Sequence, residues 1–224
     1  MKITCITTGT VQTWLHLLAL PKPAEKLRIE VPVNTFLIEH KNLKILFDAG
    51  QLPIAGQDPQ ANYFFKVSPQ ETLKKQLANL NITPDAVDYI VLSHLHGDHC
   101  DGLQDFPQTP VIVQRAAVER LAAKYSNPII AIDGEFDIAN DNSMICIPTP
   151  GHAPCHQSLL ITQNNCKTLL TGDAVYFPEA LDYTPSPEEY AQRQDFFDSL
   201  QKIHDLRKQN ISIFYSHHPY RHLG

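Results

Sequence analysis

The sequence predicts an α+β domain in which stacked β-sheets are covered by helices, and three observations lead there. Short β-branched runs come in clusters, with amphipathic segments between the clusters rather than after every strand. Two serines open helices with the same proline-containing capping pattern, Ser68-Pro69-Gln70-Glu71 and Ser186-Pro187-Glu188-Glu189. No internal repeat, low-complexity stretch or linker divides the 224 residues, so a single domain over 1–224 with a sizeable core is expected.

Residues 2–8 alternate and read as a first strand; 10–27 show no period and end in Pro21 and Pro23, which predicts a surface loop. Residues 31–39 and 43–47 form two strands around the turn His40-Lys41-Asn42, closed by Asp48-Ala49-Gly50. A long loop over 51–67 contains Tyr63, Phe64 and Phe65, an aromatic row read as packing. Ser68 then opens a helix whose apolar stripe is Leu73, Leu77 and Leu80, and Tyr89-Ile90-Val91-Leu92 is a buried strand. A strand at 111–113 and an amphipathic helix at 116–125 follow. The strands at 129–132 and 136–138 are expected to make a hairpin at Asp133-Gly134, and 144–147 is another strand. Residues 158–162 and 167–171 form a hairpin around Asn164-Asn165. From Ser186 a long helix should bury Tyr190, Phe197, Leu200 and Ile203, and a last strand at 211–215 presents Ser216-His217-His218.

A hydrophobic fraction of 43% is ordinary for a globular protein, and a formal charge of -6 with no run of Lys and Arg argues against nucleic acid as a partner. Five cysteines without a CxxC pair suit a reducing compartment rather than a disulfide framework. The apolar stretch at 14–20 is interrupted by His16 and resembles neither a signal peptide nor a span, so a soluble cytoplasmic protein without membrane insertion is expected. The oligomeric state is not legible.

The chemistry centres on Ser93-His94-Leu95-His96-Gly97-Asp98-His99, directly after the buried strand. Imidazole and carboxylate are ligands for a borderline metal such as zinc. In an extended segment His94, His96 and Asp98 share a face, and a turn at Gly97 would swing His99 back toward it. A cluster so tight can serve two ions, whose remaining ligands must come from downstream. His152 follows the tight turn Thr149-Pro150-Gly151, Asp173 follows Thr171-Gly172, and His217 follows the final strand. Each alone is a weak signal. Their recurrence at successive strand ends makes the joint reading.

With these residues the chain resembles the metallo-β-lactamase superfamily, whose HxHxDH signature is His94, His96, Asp98 and His99. Within it the chain looks most like the N-acyl homoserine lactone lactonases. The similarity includes Ile45-Leu46-Phe47-Asp48-Ala49-Gly50, Val111-Ile112-Val113-Gln114-Arg115, residues 149–159 and Asp173-Ala174-Val175-Tyr176. The resemblance implies a four-layer αββα sandwich of two mixed β-sheets covered by helices. It implies two divalent metal ions, zinc with iron, manganese or cobalt as alternatives. One would be held by His94, His96 and His152, the other by Asp98, His99 and His217, with Asp173 bridging and His218 as the fallback for His217. Asp48 would steady the histidine loop, Tyr176 would donate a hydrogen bond to the substrate carbonyl, and Asp98 would also relay a proton to the leaving alkoxide. Two ions sharing a water would supply hydroxide near neutral pH, and the resemblance implies that it opens a lactone ring, that of an N-acyl homoserine lactone. The alternatives are a thioester hydrolase of glyoxalase II type, for which no basic residue set is evident, or a hydrolase of another lactone or ester. A flavodiiron-type redox module would need a flavin domain for which 224 residues leave no room. Gly97 stands where the best-known lactonases carry a bulky aromatic, and Cys155 replaces a glycine; Cys155 and Cys100 are expected to be small buried residues.

Overall fold

The computed structural model describes residues 1–219 together with the backbone of residues 221 and 222. Among these residues there are two sheets. The first contains β1 (Lys2–Trp14), β2 (Arg28–His40), β3 (Leu43–Phe47), β4 (Phe64–Lys66), β5 (Tyr89–Val91), β6 (Val111–Gln114) and β7 (Ile129–Ile132), in the spatial order β4-β1-β2-β3-β5-β6-β7. The second contains β8 (Phe136–Asp137), β9 (Met144–Pro148), β10 (Gln157–Gln163), β11 (Cys166–Leu170) and β12 (Ser212–Phe214), in the order β12-β11-β10-β9-β8, while β13 (Arg221–His222) pairs with β2. Both sheets are mixed: β1-β2-β3 and β9-β10-β11 are antiparallel, β3-β5-β6-β7 and β11-β12 parallel. The helices are α1 (Leu15–Leu18), α2 (Leu73–Asn79), α3 (Gly97–Cys100), α4 (Val118–Ala122), α5 (Pro187–Gln192) and α6 (Gln194–Arg207).

The layers follow from the alternation of side chains along the parallel strands, which are apolar on both faces because both faces are covered. Leu46, Ile90, Val111 and Val113 pack with Leu73 and Leu77 of α2 and Leu121 of α4. Their neighbours Ile45, Phe47, Val91 and Ile112 point the other way, onto Met144, Cys146, Leu159 and Leu170 of the second sheet. Beyond that sheet, Ile147 and Leu169 meet Phe197, Leu200 and Ile203 of α6. The result is helix, sheet, sheet, helix, the sandwich expected.

Several local expectations are corrected. The first strand runs to Trp14 rather than stopping at residue 8: its register to β2 shifts between Thr7 and Thr10, and Gly9 at φ +97 takes the bulge. A Cβ on Gly9 would lie 2.6 Å from the Lys66 carbonyl oxygen, so glycine is required for β4 to approach. The helix expected from Ser68 begins only at Leu73. The Ser68 N–H does donate to the Glu71 carboxylate at 2.8 Å, but this closes a separate turn, and Leu80 lies 45% exposed past the helix end. The segment after Gln114 is a 3₁₀ turn followed by the short α4.

At Asp133-Gly134 there is no hairpin. Gly134 (φ +80) carries the chain from β7 in the first sheet to β8 in the second. The Ser186 capping box forms in full, yet the helix it opens breaks at Arg193, leaving Tyr190 39% exposed while Phe197, Leu200 and Ile203 are buried. At Asn164-Asn165 both residues have positive φ (49 and 64), the type I′ geometry that matches strand twist.

Candidate metal centre

Every candidate ligand sits just past the end of a strand. β5 delivers the loop from Ser93, the turn after β9 delivers His152, β11 delivers Asp173, and β12 delivers His217. The extended geometry expected over the whole histidine loop holds only as far as His96; at Gly97 the chain enters α3, so Asp98 and His99 project from a helical turn. That switch divides the loop. His94 and His96 face one position, Asp98 and His99 another. Gly97 takes no left-handed turn; a Cβ there would come within 3.0 Å of Gln51 Oε1 and 3.1 Å of Asp101 Oδ2, which belong to a hydrogen-bonded pair.

His94 Nε2 and His96 Nδ1 lie 3.1 and 3.0 Å from His152 Nε2, and Asp173 Oδ2 is 3.5 Å from the same nitrogen. Across the cluster, Asp173 Oδ1 is 3.2 Å from His99 Nε2 and 3.3 Å from His217 Nε2, while Asp98 Oδ2 is 3.8 and 3.5 Å from those nitrogens. Asp173 therefore turns one oxygen to each group. Tetrahedral zinc with bonds of about 2.0–2.1 Å separates its ligand atoms by about 3.3 Å, close to these spacings. His99 Nε2 and Asp173 Oδ1 are buried and have no hydrogen-bond partner among the described residues. Buried polar atoms are ordinarily satisfied. The nitrogen and oxygen donors and the two orphaned atoms fit divalent cations.

Surrounding hydrogen bonds decide which ring nitrogens face inward. Asp48, in left-handed backbone at φ 66, accepts the Ser93 N–H at 2.7 Å, the Ser93 hydroxyl at 2.9 Å and His99 Nδ1–H at 2.7 Å. Because the single Ser93 hydroxyl proton goes to Asp48, Ser93 Oγ accepts from His94 Nδ1–H at 2.9 Å. His217 Nδ1–H donates to the Pro32 carbonyl at 2.7 Å. Each of these three rings is left with Nε2 unprotonated when neutral and aimed at the cluster. His218 lies elsewhere, its ring against Phe177 and Tyr215.

Charge divides the cluster the same way. Burial holds His94 well below the ordinary imidazole range, lowers His96, and pushes His152 down to about 4. Burial also opposes a charge on His99 and His217, but Asp173, Asp48 and Asp98 outweigh it at His99, and Asp173 and Asp98 at His217, so both are raised. Burial and the same aspartates keep the Tyr176 phenol protonated, its pKa well above the usual tyrosine range.

Tyr176 Oη lies 3.2 Å from His152 Nδ1. With His152 Nε2 turned inward as an acceptor, Nδ1–H donates to the phenol oxygen, and the phenol's own proton is turned toward Asp173. His96, Asp98, His152, Asp173 and His217 line, with Tyr176, a cleft of about 310 Å³ whose other walls include Leu18, Val31, Tyr63 and Phe65. Tyr63 and Phe65, read from sequence as packing, are therefore cleft walls. Cys100 and Cys155 are buried in the helix-covered core and belong to neither ligand group.

One residue escaped assignment. His156 is 1% exposed and accepts the Asp173 backbone N–H at Nε2, 3.0 Å away. Its signal was a second histidine four residues after His152, just ahead of β10.

Residues 28–217 match the sequence profile of the metallo-beta-lactamase superfamily. N-acyl homoserine lactonase AttM of Agrobacterium fabrum is 29% identical over 218 residues, 85% of this chain and 83% of the relative. An N-acyl homoserine lactonase of a Bacillus species is 32% identical over 171 residues, 67% of each. A solved structure of a B. thuringiensis AiiA variant with N-decanoyl-L-homoserine bound at its active site superposes with a TM-score of 0.81 at 26% identity, covering 96% of this chain and 92% of that one.

Proposed function

The chain belongs to the metallo-beta-lactamase superfamily, and on that premise we propose that it is a single-domain dinuclear zinc hydrolase that opens the lactone ring of N-acyl homoserine lactones. The observation that carries this reading is the meeting, on one apolar-walled cleft, of two ligand groups joined by one carboxylate with a protonated tyrosine at their edge. His94, His96 and His152 would hold one ion and Asp98, His99 and His217 the other, and Asp173, with Oδ2 toward the first group and Oδ1 toward the second, would hold both. Bound there, two divalent ions would lower the pKa of a shared water and polarise the carbonyl under attack.

The chain's own groups do the rest. Tyr176, its oxygen already occupied by His152 Nδ1–H, turns its proton from Asp173 to the substrate carbonyl oxygen and stabilises charge developing there. Asp98 lines the cleft and is placed to pass a proton to the alkoxide released when the ring opens. Leu18, Val31, Tyr63 and Phe65 give an acyl chain an apolar wall. The lactonase names of the relatives and the acyl homoserine bound in the AiiA variant support the substrate class. Five free cysteines support a reducing, cytoplasmic setting. Among the described residues no helix is long and apolar enough to cross a membrane.

A thioester substrate of glyoxalase II type gains one observation: Lys22 and Arg193 line an adjoining cavity of about 360 Å³ that shares Leu18, Tyr63, His152 and Tyr176 with the cleft. The deciding experiment offers zinc-loaded protein short- and long-chain acyl homoserine lactones beside an anionic thioester, with His96→Ala and Tyr176→Phe as controls. Lactone opening abolished by the first change and weakened by the second is expected. Brisk thioester cleavage without lactone opening would transfer the proposal to the thioester.

A further inference from the structure

We infer that His156 is a positioning residue for Asp173, holding from the backbone side the carboxylate that the two ligand groups share. Asp173 Oδ1 faces His99 Nε2 and His217 Nε2 at 3.2 and 3.3 Å but makes no hydrogen bond of good geometry among the described residues, so the backbone shares in setting where the carboxylate lies. The Thr171 hydroxyl holds the turn through the Gly172 and Val175 carbonyls, and at Asp173 itself the backbone N–H donates to His156 Nε2 at 3.0 Å. The approach is close: Gly172 is left-handed at φ +55, and a Cβ there would lie 2.8 Å from His156 Nε2 and 2.7 Å from the Ser93 Cβ.

The contact begins a chain of hydrogen bonds. His156 Nδ1 is 2.9 Å from Thr149 Oγ1, Thr149 Oγ1 is 2.9 Å from Ser158 Oγ, and Ser158 Oγ donates to the Thr171 carbonyl at 3.0 Å. An amide N–H can only donate and a carbonyl can only accept, so the two ends set the direction of every proton between them. His156 must carry its proton on Nδ1 and give it to Thr149. Thr149 gives its own to Ser158. Every member is buried, so a missing link would leave an unsatisfied group. The chain begins at Asp173 and ends two residues before it, at Thr171, tying the turn that carries the carboxylate to β9 and β10. His156 is a member of neither ligand group; its ring packs on those of His94 and His152, centroids 5.3 and 6.1 Å away, and its hydrogen bond goes to Asp173.

This inference rests on the reading of Asp173 as the shared ligand, and the two are tested separately. The full chain is stripped of metal and titrated with Zn²⁺ against a chromophoric chelator, for wild type, His156→Phe, His156→Gln and Thr149→Val. Wild type binding fewer than two ions would overturn the reading of Asp173. With two bound, a folded His156→Phe is expected to lose roughly 10–100-fold in zinc affinity, the usual effect of losing an outer partner of a metal ligand. Gln, whose amide oxygen can replace Nε2 as acceptor, is expected to restore most of that, and Thr149→Val to fall between. Wild-type zinc affinity in His156→Phe, or His156→Gln as weak as His156→Phe, would overturn the inference. Should His156→Phe not fold, ¹⁵N NMR of the wild-type ring and the Thr149→Val titration decide: the Nδ1–H tautomer and a weakened affinity are expected, and the Nε2–H tautomer or an unchanged affinity would overturn it.

Discussion

The two halves of the proposed metal centre are built from different materials. His94, His96 and His152 form a histidine half in which burial disfavours protonation. Asp98, His99 and His217 form an acidic half in which nearby carboxylates favour it. The first offers lone pairs to a cation without giving up protons; the second must release protons to accept one. One cluster can thus contain two sites of unequal character although Asp173 is common to both.

The change that breaks the comparison outright is Asp173→Asn. It removes the carboxylate both halves share, and turnover is expected to fall by more than the roughly 100-fold typical of an outer partner, with zinc affinity lost on both sides. Metal analysis alongside steady-state kinetics measures it. Asp48→Asn should sharpen the contrast: Asp48 touches His99 directly and His94 only through Ser93, so a loss of roughly 10–100-fold should fall mainly on the acidic half. Tyr176→Phe touches neither half as a ligand and should lower kcat by up to about 100-fold with two ions still bound.

The smallest effect concerns pH in the metal-free chain. Depressed imidazoles of the histidine half contribute stability that is present above about 6.5 and lost as pH falls, for His152 down through about 4. Raised imidazoles of the acidic half contribute stability that is present below about 6.5 and lost as pH climbs through their elevated pKa values. Thermal unfolding across pH is therefore expected to fall off on both sides, by on the order of a few degrees. A monotonic profile would remove the contrast in protonation.

Much of the fold and of the candidate site was legible in the sequence because the candidate ligands are local or punctuate strand ends. His94, His96, Asp98 and His99 fall within six consecutive positions, and His152, Asp173 and His217 each follow an apolar run. The layer order was legible too, since buried parallel strands carry apolar side chains to both faces, as Val111, Ile112 and Val113 do. What escaped depends on partners distant in sequence. Gly9 reads as a strand end, but it is a bulge admitting Lys66. Asp133-Gly134 reads as a hairpin, but pairing of β7 with β6 and of β8 with β9 sends its flanks to different sheets. Tyr63 and Phe65 fall in a stretch that reads as a loop, although Phe65 belongs to the three-residue β4 paired with β1, too short to show which face points inward. His156 stood in the open, yet a histidine beside a ligand carries no meaning until the Asp173 N–H is seen to meet it.

The central claim is that both halves are needed for lactone opening, and stepwise metal titration tests it most directly. Metal-free protein receives Zn²⁺ in fractions of an equivalent while acyl homoserine lactone opening is followed at each step. Turnover that continues to rise to two equivalents per chain and then levels is the predicted result; turnover complete at one equivalent would contradict it.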